Sequence, residues 1–304
     1  MRESEIRFKS GEIELAGTIA MPDGAGPYPA VLFICGSGKI DRNENHKKMP
    51  LNVFYDISHF LAGKGIASLR YDKRGVGQSG GDFLSSGFND NAGDAKAALQ
   101  FMKKQKDMLP GKIFLLGHSE GAFLSCKLAG EASGAAGAIL LAGGAVSGEA
   151  VLKWQALQVV KGMKGLNAWI IKTFRVDVAK AQQKQLDIIK QSKKDWFRIQ
   201  LAKINAKWFR EFMAYDPSAA DLQRITVPVL AITGSKDIQV NPADLERMAQ
   251  MIKAPFEYHL IPDMTHALRL EQGEASVSKY AEEIKKPVEL ALLEMILSWL
   301  KKQI

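Results

Sequence analysis

The 304-residue chain has only two cysteines and five histidines, and this scarcity excludes several kinds of site. Cys35 and Cys126 lie among apolar residues without a partner pattern, which predicts two buried thiols and neither a disulfide nor a cysteine metal site. The histidines show no H-x-x-x-H spacing, so no histidine metal motif is present. We therefore expect neither a metal ion nor a cofactor.

Long apolar runs are also absent. No run of about 18 apolar residues occurs, so we predict no transmembrane helix and no stable membrane insertion. The first ten residues, MRESEIRFKS, alternate in charge and lack the apolar region of a signal peptide. Together with the unpaired cysteines, these features predict a cytoplasmic protein. A chain of this length can bury roughly 75% of its unfolded surface, in one large core or two smaller ones.

The glycine-rich stretch GSGK at residues 36–39 lacks what a phosphate-binding loop needs. That loop has the pattern G-x-x-x-x-G-K-[ST], but Phe33 stands at its first glycine and Ile40 at its hydroxyl position. The sequence therefore argues against a nucleotide site here. The stretch does predict a strand, VLFIC, that ends in a loop with exposed backbone N–H groups.

The net charge of +8 is concentrated in one segment. Residues 146–215 contain 14 Lys and Arg against 5 Asp and Glu, and the rest of the chain is close to neutral. Such a field can attract anionic substrates, an acidic membrane face or nucleic acid. A lysine-rich helical surface that only faces water is the simpler interpretation. We expect no nucleic-acid partner.

Eight short apolar runs, most of them rich in Ile, Val, Leu and Phe, predict buried strands. They are IRFKS, IELAGTIAM, AVLFIC, IASLRYD, KIFLLG, GAILLAG, PVLAITG and FEYHLIP. Helical spacing between them predicts helices over 54–64, 91–105, 122–132, 242–253 and 288–301. This alternation predicts an α/β fold: a mostly parallel twisted sheet with helices on both faces and an antiparallel hairpin at one edge.

Residues 146–215 break the alternation, with no proline and no glycine after Gly165. Apolar residues at spacings of 4, 3, 4 and 4 predict one helical face; they are Phe197, Leu201, Ile204, Trp208 and Phe212. We predict a helical cap of three or four helices over 146–215 and a core domain formed by 1–145 and 216–304. The aromatic residues of the cap, Trp196 included, either line an acyl pocket or pack the cap onto the core.

Residues 117–121, GHSEG, form a G-x-S-x-G pattern between an apolar strand and a small-residue helix. In that setting a strained turn directs the hydroxyl of Ser119 out of the sheet, and the flanking glycines let strand and helix approach each other. We therefore predict Ser119 as a catalytic nucleophile. The alternative is a plain tight turn.

The motifs VLFICGSG, RYDKRGVGQSGG, LLGHSEGA, PVLAITGSKD and MTHAL, in this order, resemble those of the α/β-hydrolase family. The resemblance is strongest to its serine esterase and serine-aminopeptidase-like branch, and it covers nearly the whole chain outside 146–215. It implies an α/β-hydrolase fold with a cap insertion. One departure is Cys35, since family members commonly carry His before the first Gly of the oxyanion loop, which follows the strand VLFIC.

The resemblance implies the other site residues as well. The backbone N–H groups of Ser37 and Glu120 are expected to bind the oxyanion of the tetrahedral intermediate. The family order of serine, acid and histidine points to His266, in PDMTHALRL, as the general base. It points to Asp237, after PVLAITG, as the acid that orients the imidazole. A structural role for His266 is the alternative, and we expect the competing Asp263 to shape its turn.

Several neighbouring residues are expected to support the site without taking part in the chemistry. We expect His118 and the side chain of Glu120 to be structural, and His259 to lie in a strand. Asp41 and Arg42 are expected to hold the oxyanion loop in place through an ion pair. The run YDKRGVGQS is expected to form a rigid turn beside that loop.

These residues predict a serine hydrolase that cleaves carboxylic esters of small molecules through an acyl-enzyme. An aminopeptidase or amidase and an acyl thioesterase of the same fold are alternatives. The few carboxylates of the cap argue against recognition of a free amine, while its cations would suit an acyl-CoA. From a different class, a catalytically silent module could bind a lipid or a partner through the basic helices.

Overall fold

The computed structural model describes residues 1–47, 49–162, 177–199 and 202–304, and its centre is a sheet of eight strands. The strands of these residues are β1 Arg2–Ser10, β2 Ile13–Met21, β3 Tyr28–Ile34, β4 Asn45–His46, β5 Met49–Pro50, β6 Ala67–Tyr71, β7 Met108–His118, β8 Gly137–Leu141, β9 Trp196–Ile199, β10 Ala202–Asn205, β11 Val229–Gly234 and β12 Phe256–Ile261.

The order of the central sheet is β1-β2-β6-β3-β7-β8-β11-β12. β2 runs antiparallel to both β1 and β6, and all other neighbouring strands are parallel. Each of the eight predicted runs forms a strand of this sheet, and the predicted antiparallel hairpin lies at one edge. The predicted α/β-hydrolase fold class is therefore confirmed.

Helices cover the sheet, and the five predicted from helical spacing are all present. The helices of the described residues are α1 Val53–Ala62, α2 Phe88–Lys103, α3 Glu120–Gly130, α4 Gly148–Gly162, α5 Val178–Gln191, α6 Ala206–Ala214, α7 Pro217–Ala220, α8 Asp244–Met251, α9 Tyr280–Glu283 and α10 Leu290–Gln303. α2 begins three residues before the predicted start. The Asp90 carboxylate accepts the Gly87 N–H there at 2.7 Å and so stabilises an earlier first turn.

Both faces of the sheet are buried in separate apolar clusters. Along β3, Leu32 and Ile34 pack into a cluster with residues of α2 and α3. Val31 and Phe33 point the other way and pack with residues of α1 and α10. Burial of each such side chain stabilises the fold by about 1.5–3 kcal/mol. This two-sided burial explains why the inner strands, such as β6, β8 and β11, are continuous apolar runs, whereas the edge strands β1 and β12 are partly exposed.

The segment 146–215 is only partly helical, and the predicted helical face over 197–212 is wrong. α4, α5 and α6 lie in the segment, but β9 and β10 form an antiparallel hairpin between them. Phe197 pairs with Ile204 across this hairpin, and an aromatic residue opposite a β-branched one is a favourable cross-strand pair. Leu201 lies outside the described residues. The apolar spacing thus belongs to a hairpin followed by a separate helix.

Asn205 forms the junction between that hairpin and α6. Its side-chain oxygen accepts the Trp208 N–H at 2.9 Å and caps the helix. Its amide nitrogen donates to the carbonyl oxygens of Phe83 and Ser86, each at 2.7 Å. The same side chain therefore ends β10, begins α6 and attaches the segment to the loop before α2.

The aromatic residues of α6 pack against the core. The ring of Phe212 lies 5.6 Å from that of Phe88 and 5.3 Å from that of Phe123, and Trp208 stacks on it at 4.9 Å. Packing onto the core was one of the two roles predicted for these residues. The division into a cap over 146–215 and a core domain stays a prediction.

We predict that Asn205→Ala lowers the free energy of unfolding by about 2 kcal/mol, because the variant loses a helix cap and leaves two carbonyl groups without their donor. Asn205→Ser keeps a capping oxygen and should lose less. Urea denaturation followed by circular dichroism measures both values. Wild-type stability in both variants would contradict the junction described here.

Candidate active site

Ser119 lies in the single-residue connection between β7 and α3. Its backbone has φ 55° and ψ −119°, a conformation that costs a non-glycine residue on the order of 1–3 kcal/mol. The turn is held on both sides, since the Ser119 N–H donates to the Leu141 carbonyl at 3.0 Å and the Ser119 carbonyl accepts the Ala122 N–H at 2.9 Å. The sequence pattern thus corresponds to a strained turn at the end of a buried strand.

The two flanking glycines are required by close backbone contacts. A Cβ atom at Gly121 would overlap the carbonyl oxygen of Ile34, and one at Gly117 would overlap the carbonyl oxygen of Gly121. No rotation of a side chain relieves these overlaps, because the opposing atoms belong to the backbone. The predicted reason for glycine at both positions is confirmed.

His266 and Asp237 are hydrogen-bonded to each other, Nδ1 to Oδ2, at 2.8 Å, and both side chains are buried. The other carboxylate oxygen of Asp237 accepts the N–H groups of Gln239 at 2.7 Å and Val240 at 2.9 Å. Because an ionised carboxylate only accepts hydrogen bonds, we assign the ring proton of a neutral His266 to Nδ1. Its Nε2 atom is then free to accept a proton.

Two cavities meet at Ser119. The larger, of about 270 Å³, is lined by Ser119, Ser37 and His266 among others. The smaller, of about 160 Å³, is lined by Ser119, Ser37 and Glu120. The structure therefore brings the predicted site residues to one place, with Asp237 behind His266. Within the described residues no hydrogen bond joins the Ser119 hydroxyl to His266.

The competing residues lie elsewhere. His259 is in β12, as expected, and its Nε2 atom contacts the Glu257 carboxylate at 2.9 Å. Asp263 has a left-handed backbone with φ 58°, and its carboxylate pairs with the Lys236 ammonium at 2.7 Å. Neither residue lines the two cavities at Ser119.

The ion pair predicted at Asp41 and Arg42 is present at Arg42. Its guanidinium pairs with the carboxylates of Asp72 at 2.7 Å and Glu5 at 2.6 Å. The Asp41 carboxylate accepts the backbone N–H groups of Asn43 and Asn45 within its own turn. Consecutive side chains point in different directions here, so Asp41 shapes the turn while Arg42 attaches the loop after β3 to β1 and to the end of β6.

The turn that follows β6 is organised around Asp72. Besides Arg42, its carboxylate accepts the Gln78 N–H at 3.0 Å, and its carbonyl accepts the Ser79 hydroxyl at 2.7 Å. A Cβ atom at Gly77 would overlap this carboxylate. The expected compact turn beside the oxyanion loop is therefore present.

Sequence reasoning missed Glu44 and the partners of Glu120. Glu44 is buried in the wall of the larger cavity, and its only sequence signal is an acid eight residues after Gly36. The Glu120 carboxylate accepts the Trp208 indole N–H at 2.7 Å and the Asn91 amide at 2.8 Å. Because these partners are distant in sequence, no local sequence pattern indicates them.

No group of three or more His, Cys, Asp and Glu side chains in the described residues is arranged to hold a metal ion. Cys35 and Cys126 are buried free thiols, as predicted, and burial raises the pKa of each well above its usual value. Among the described helices, none is long and apolar enough to cross a membrane.

Comparison with known proteins supports the same fold and class. The model of the family described as serine aminopeptidase, S33, matches residues 51–273. Among curated proteins, esterase EstD of Thermotoga maritima is 29% identical over 290 residues, which are 95% of this chain and 66% of that esterase. The chain thus spans just under two thirds of the length of this relative.

Two solved structures illustrate the shared fold. The α/β hydrolase GrgF of Penicillium sp. sh18 has a TM-score of 0.66 and 16% identity, with 100% of this chain and 99% of that chain covered. Est1E of Butyrivibrio proteoclasticus has a TM-score of 0.64 and 17% identity, with 98% of each chain covered. At this level of identity they show the fold alone.

The sheet topology and the turn at Ser119 define an α/β hydrolase. Because the family model matches most of the chain, the chain belongs to the serine aminopeptidase, S33, family of these hydrolases.

We predict that Gly121→Ala lowers the free energy of unfolding by about 3 kcal/mol or prevents folding, because the added methyl group forces two backbone segments apart. Gly93→Ala in α2 is the matched control. A Cβ atom there meets nothing within 4 Å, so the control should be more stable by about 0.5–1 kcal/mol. Thermal and urea unfolding measure both, and equal stability of the two variants would contradict the close contact.

Proposed function

We propose that the chain is a serine hydrolase that cleaves carboxylic esters of small molecules through an acyl-enzyme. Ser119 is the nucleophile, His266 the general base and Asp237 the acid that orients it. The observation that carries the proposal is the Asp237–His266 hydrogen bond of 2.8 Å beside a cavity that Ser119 also lines. Serine needs a neighbouring base of this kind to act as a nucleophile.

In the proposed mechanism the Ser119 hydroxyl attacks the ester carbonyl and gives its proton to Nε2 of His266. The oxyanion accepts hydrogen bonds from the N–H groups of Ser37 and Glu120. Glu120 is the first residue of α3, so its N–H has no carbonyl partner within the helix. Each such donor contributes about 3 kcal/mol in the transition state.

His266 then donates the proton to the departing alcohol. Water attacks the acyl-enzyme by the reverse route and releases the acid and the free Ser119 hydroxyl. The bond from Ser119 to His266 would form with substrate present, since catalytic hydrogen bonds often tighten only in that complex.

The two cavities suggest separate places for the two halves of an ester. The alcohol must leave beside His266, which lines only the larger cavity. The acyl group would then lie in the smaller cavity, which Ser37 and Glu120 line but His266 does not. Residues of α4 and α6 complete that cavity, which supports a cap role for the segment 146–215.

The walls of the smaller cavity favour a short or aromatic acyl group. Six of its twelve lining residues are apolar side chains of three helices: Phe123, Val151, Leu152, Trp208, Phe209 and Phe212. Its volume of about 160 Å³ is close to that of an apolar cavity known to hold benzene, which suggests an acyl chain of about six heavy atoms. A long fatty acyl chain would have to extend beyond this cavity.

The carboxylates of the site favour an ester over an aminopeptidase substrate. Binding of a free α-amino group needs an available carboxylate, and in the described residues the cavity walls offer two. The Glu44 carboxylate is hydrogen-bonded to Gly36 and His118. The Glu120 carboxylate is hydrogen-bonded to Trp208 and Asn91, and the Lys73 ammonium lies 3.6 Å from it. Glu44 has no free oxygen, and the second Glu120 oxygen, Oε2, accepts no hydrogen bond in the described residues but is buried beside the Lys73 ammonium.

The basic charge of 146–215 gives no support to an acyl-CoA thioester. No Lys or Arg of the described residues lines either cavity. Several lysines pair with surface carboxylates instead, such as Lys190 with Glu149 at 2.6 Å and Lys207 with Asp90 at 2.7 Å. We therefore favour an ester with an uncharged acyl group.

We predict that a fluorophosphonate probe labels the wild-type protein at Ser119, because the probe traps a serine activated by a neighbouring base. Labelling should disappear in Ser119→Ala and persist in Ser125→Ala. Ser125 lies in α3, the helix that follows Ser119, and its buried hydroxyl has no partner among the described residues. Intact-mass and peptide mass spectrometry measure the adduct. No adduct on the folded protein would favour a silent binding module and contradict the proposal.

We predict that Leu152→Ala shifts the preferred acyl chain of nitrophenyl esters upward by about two to three carbons, because it removes three side-chain carbons from the wall of the acyl cavity. Leu152→Trp should reject all but the shortest chains. Leu157→Ala is the matched control, since Leu157 lies in the same helix but is 47% exposed. The ratio of kcat/KM across chain lengths measures the shift. An unchanged profile in both Leu152 variants would contradict the assignment of the acyl cavity.

A further inference from the structure

Two buried titratable groups beside Ser119 have no part in the proposed chemistry. Glu44 is 1% exposed and His118 is 3% exposed, and both line the larger cavity. Glu44 also has φ 64°, in the left-handed region. Strain of this kind costs a non-glycine residue about 1–3 kcal/mol and persists only where the surrounding structure holds it. The conformation turns the Glu44 carboxylate toward the site.

Glu44 and His118 form three hydrogen bonds. One carboxylate oxygen of Glu44 accepts the Gly36 N–H at 2.7 Å, and the other lies 2.6 Å from Nδ1 of His118. Nε2 of His118 lies 3.0 Å from the backbone carbonyl oxygen of His266. The pair therefore joins the oxyanion loop to the loop that follows β12, the two loops that carry the proposed oxyanion donor and the proposed base.

The hydrogen-bond partners also determine where the protons of Glu44 and His118 lie. Because Nε2 of His118 faces a carbonyl oxygen, it must carry a proton, and one further proton lies between Nδ1 and Glu44. The pair is then neutral overall, which allows it to be buried. Burial opposes a charge on His118, but the Glu44 carboxylate outweighs it and raises the pKa of His118.

Gly36, whose carbonyl shares a peptide group with the Ser37 N–H, is held at both its N–H and its carbonyl. Glu44 holds the Gly36 N–H, and the Lys73 ammonium donates to the Gly36 carbonyl at 2.5 Å. That carbonyl belongs to the same peptide unit as the Ser37 N–H, and in a trans peptide the two point in opposite directions. Anchoring the carbonyl at Lys73 therefore directs the Ser37 N–H away from Lys73.

We propose that Glu44 and His118 act as a positioning pair that fixes the oxyanion loop and the main chain of His266 relative to each other. Asp237 orients the ring of His266, and His118 holds its backbone, with the two histidine rings 4.8 Å apart. The inference rests on the proposed function. Without the pair, the oxyanion donor and the base no longer reach the same carbonyl group, and a displacement of 1 Å costs a reaction of this kind about 10²-fold.

Three variants test the pair in steady-state hydrolysis of a nitrophenyl ester. Glu44→Ala removes two hydrogen bonds. Glu44→Gln can keep both, because its oxygen accepts from Gly36 while its amide donates to a neutral His118. Asp221→Ala is the matched control. Asp221 is a buried carboxylate bonded to Tyr215 at 2.8 Å, beside Gly130 at the far end of α3 from Ser119.

We expect Glu44→Ala to lower kcat about 10²-fold with KM changed less than about threefold. Glu44→Gln should keep kcat within about fivefold of the wild type. Asp221→Ala should lower the unfolding temperature and leave kcat and KM unchanged. This split between kcat and KM, together with rescue by Gln, separates positioning from a general loss of stability.

Wild-type kcat in Glu44→Ala, or a Gln variant as slow as the Ala variant, would overturn the inference while the labelling of Ser119 still supports the hydrolase. Absence of Ser119-dependent turnover in the wild type would remove the proposed function and the inference together. If Glu44→Ala does not fold, the double variant Glu44→Gln/His118→Phe takes its place, because neither of its two substituted residues carries a charge. Its kcat should fall about 10²-fold below that of Glu44→Gln, and an equal kcat would overturn the inference.

Discussion

The start of α3 lies so close to the end of β3 that the carbonyl oxygen of Ile34 leaves no room for a side chain at Gly121. This contact determines more than the helix position. Ile34 is the last residue of β3, and Gly36 follows two positions later in the oxyanion loop. A Cβ atom at Gly36 would lie 3.3 Å from Cβ of Ser119. One steric constraint therefore places the turn at Ser119 and the oxyanion loop side by side.

The topology of the sheet explains why the other site residues lie near one another. Gly36, Ser119, Asp237 and His266 follow the carboxyl ends of β3, β7, β11 and β12, and these strands belong to the parallel part of the sheet. Loops at the carboxyl ends of parallel strands share one edge of the sheet, which is where α/β proteins bind ligands. Residues up to 230 positions apart in the chain thus come together without any long-range sequence signal.

The elements that the sequence predicts well depend on local chemistry. Buried parallel strands are continuous apolar runs, and a Ser between two glycines at the end of such a run indicates the turn at Ser119. The hairpin of β9 and β10 was missed because Phe197 and Ile204 happen to be spaced like residues on one helical face, and the capping bond of Asn205 decides where the helix begins. An ion pair at Arg42 could be predicted, but its partners could not, because Asp72 and Glu5 are distant from Arg42 in sequence.

The proposed function depends on the convergence of the nucleophile, the base and the two backbone donors. A crystal structure of the fluorophosphonate adduct would show this convergence, since the phosphoryl oxygen takes the place of the oxyanion. We expect this oxygen to accept hydrogen bonds from the N–H groups of Ser37 and Glu120, with Nε2 of His266 within hydrogen-bond distance of Ser119 Oγ. A phosphoryl oxygen directed away from both N–H groups, or His266 remote from the adduct, would contradict it.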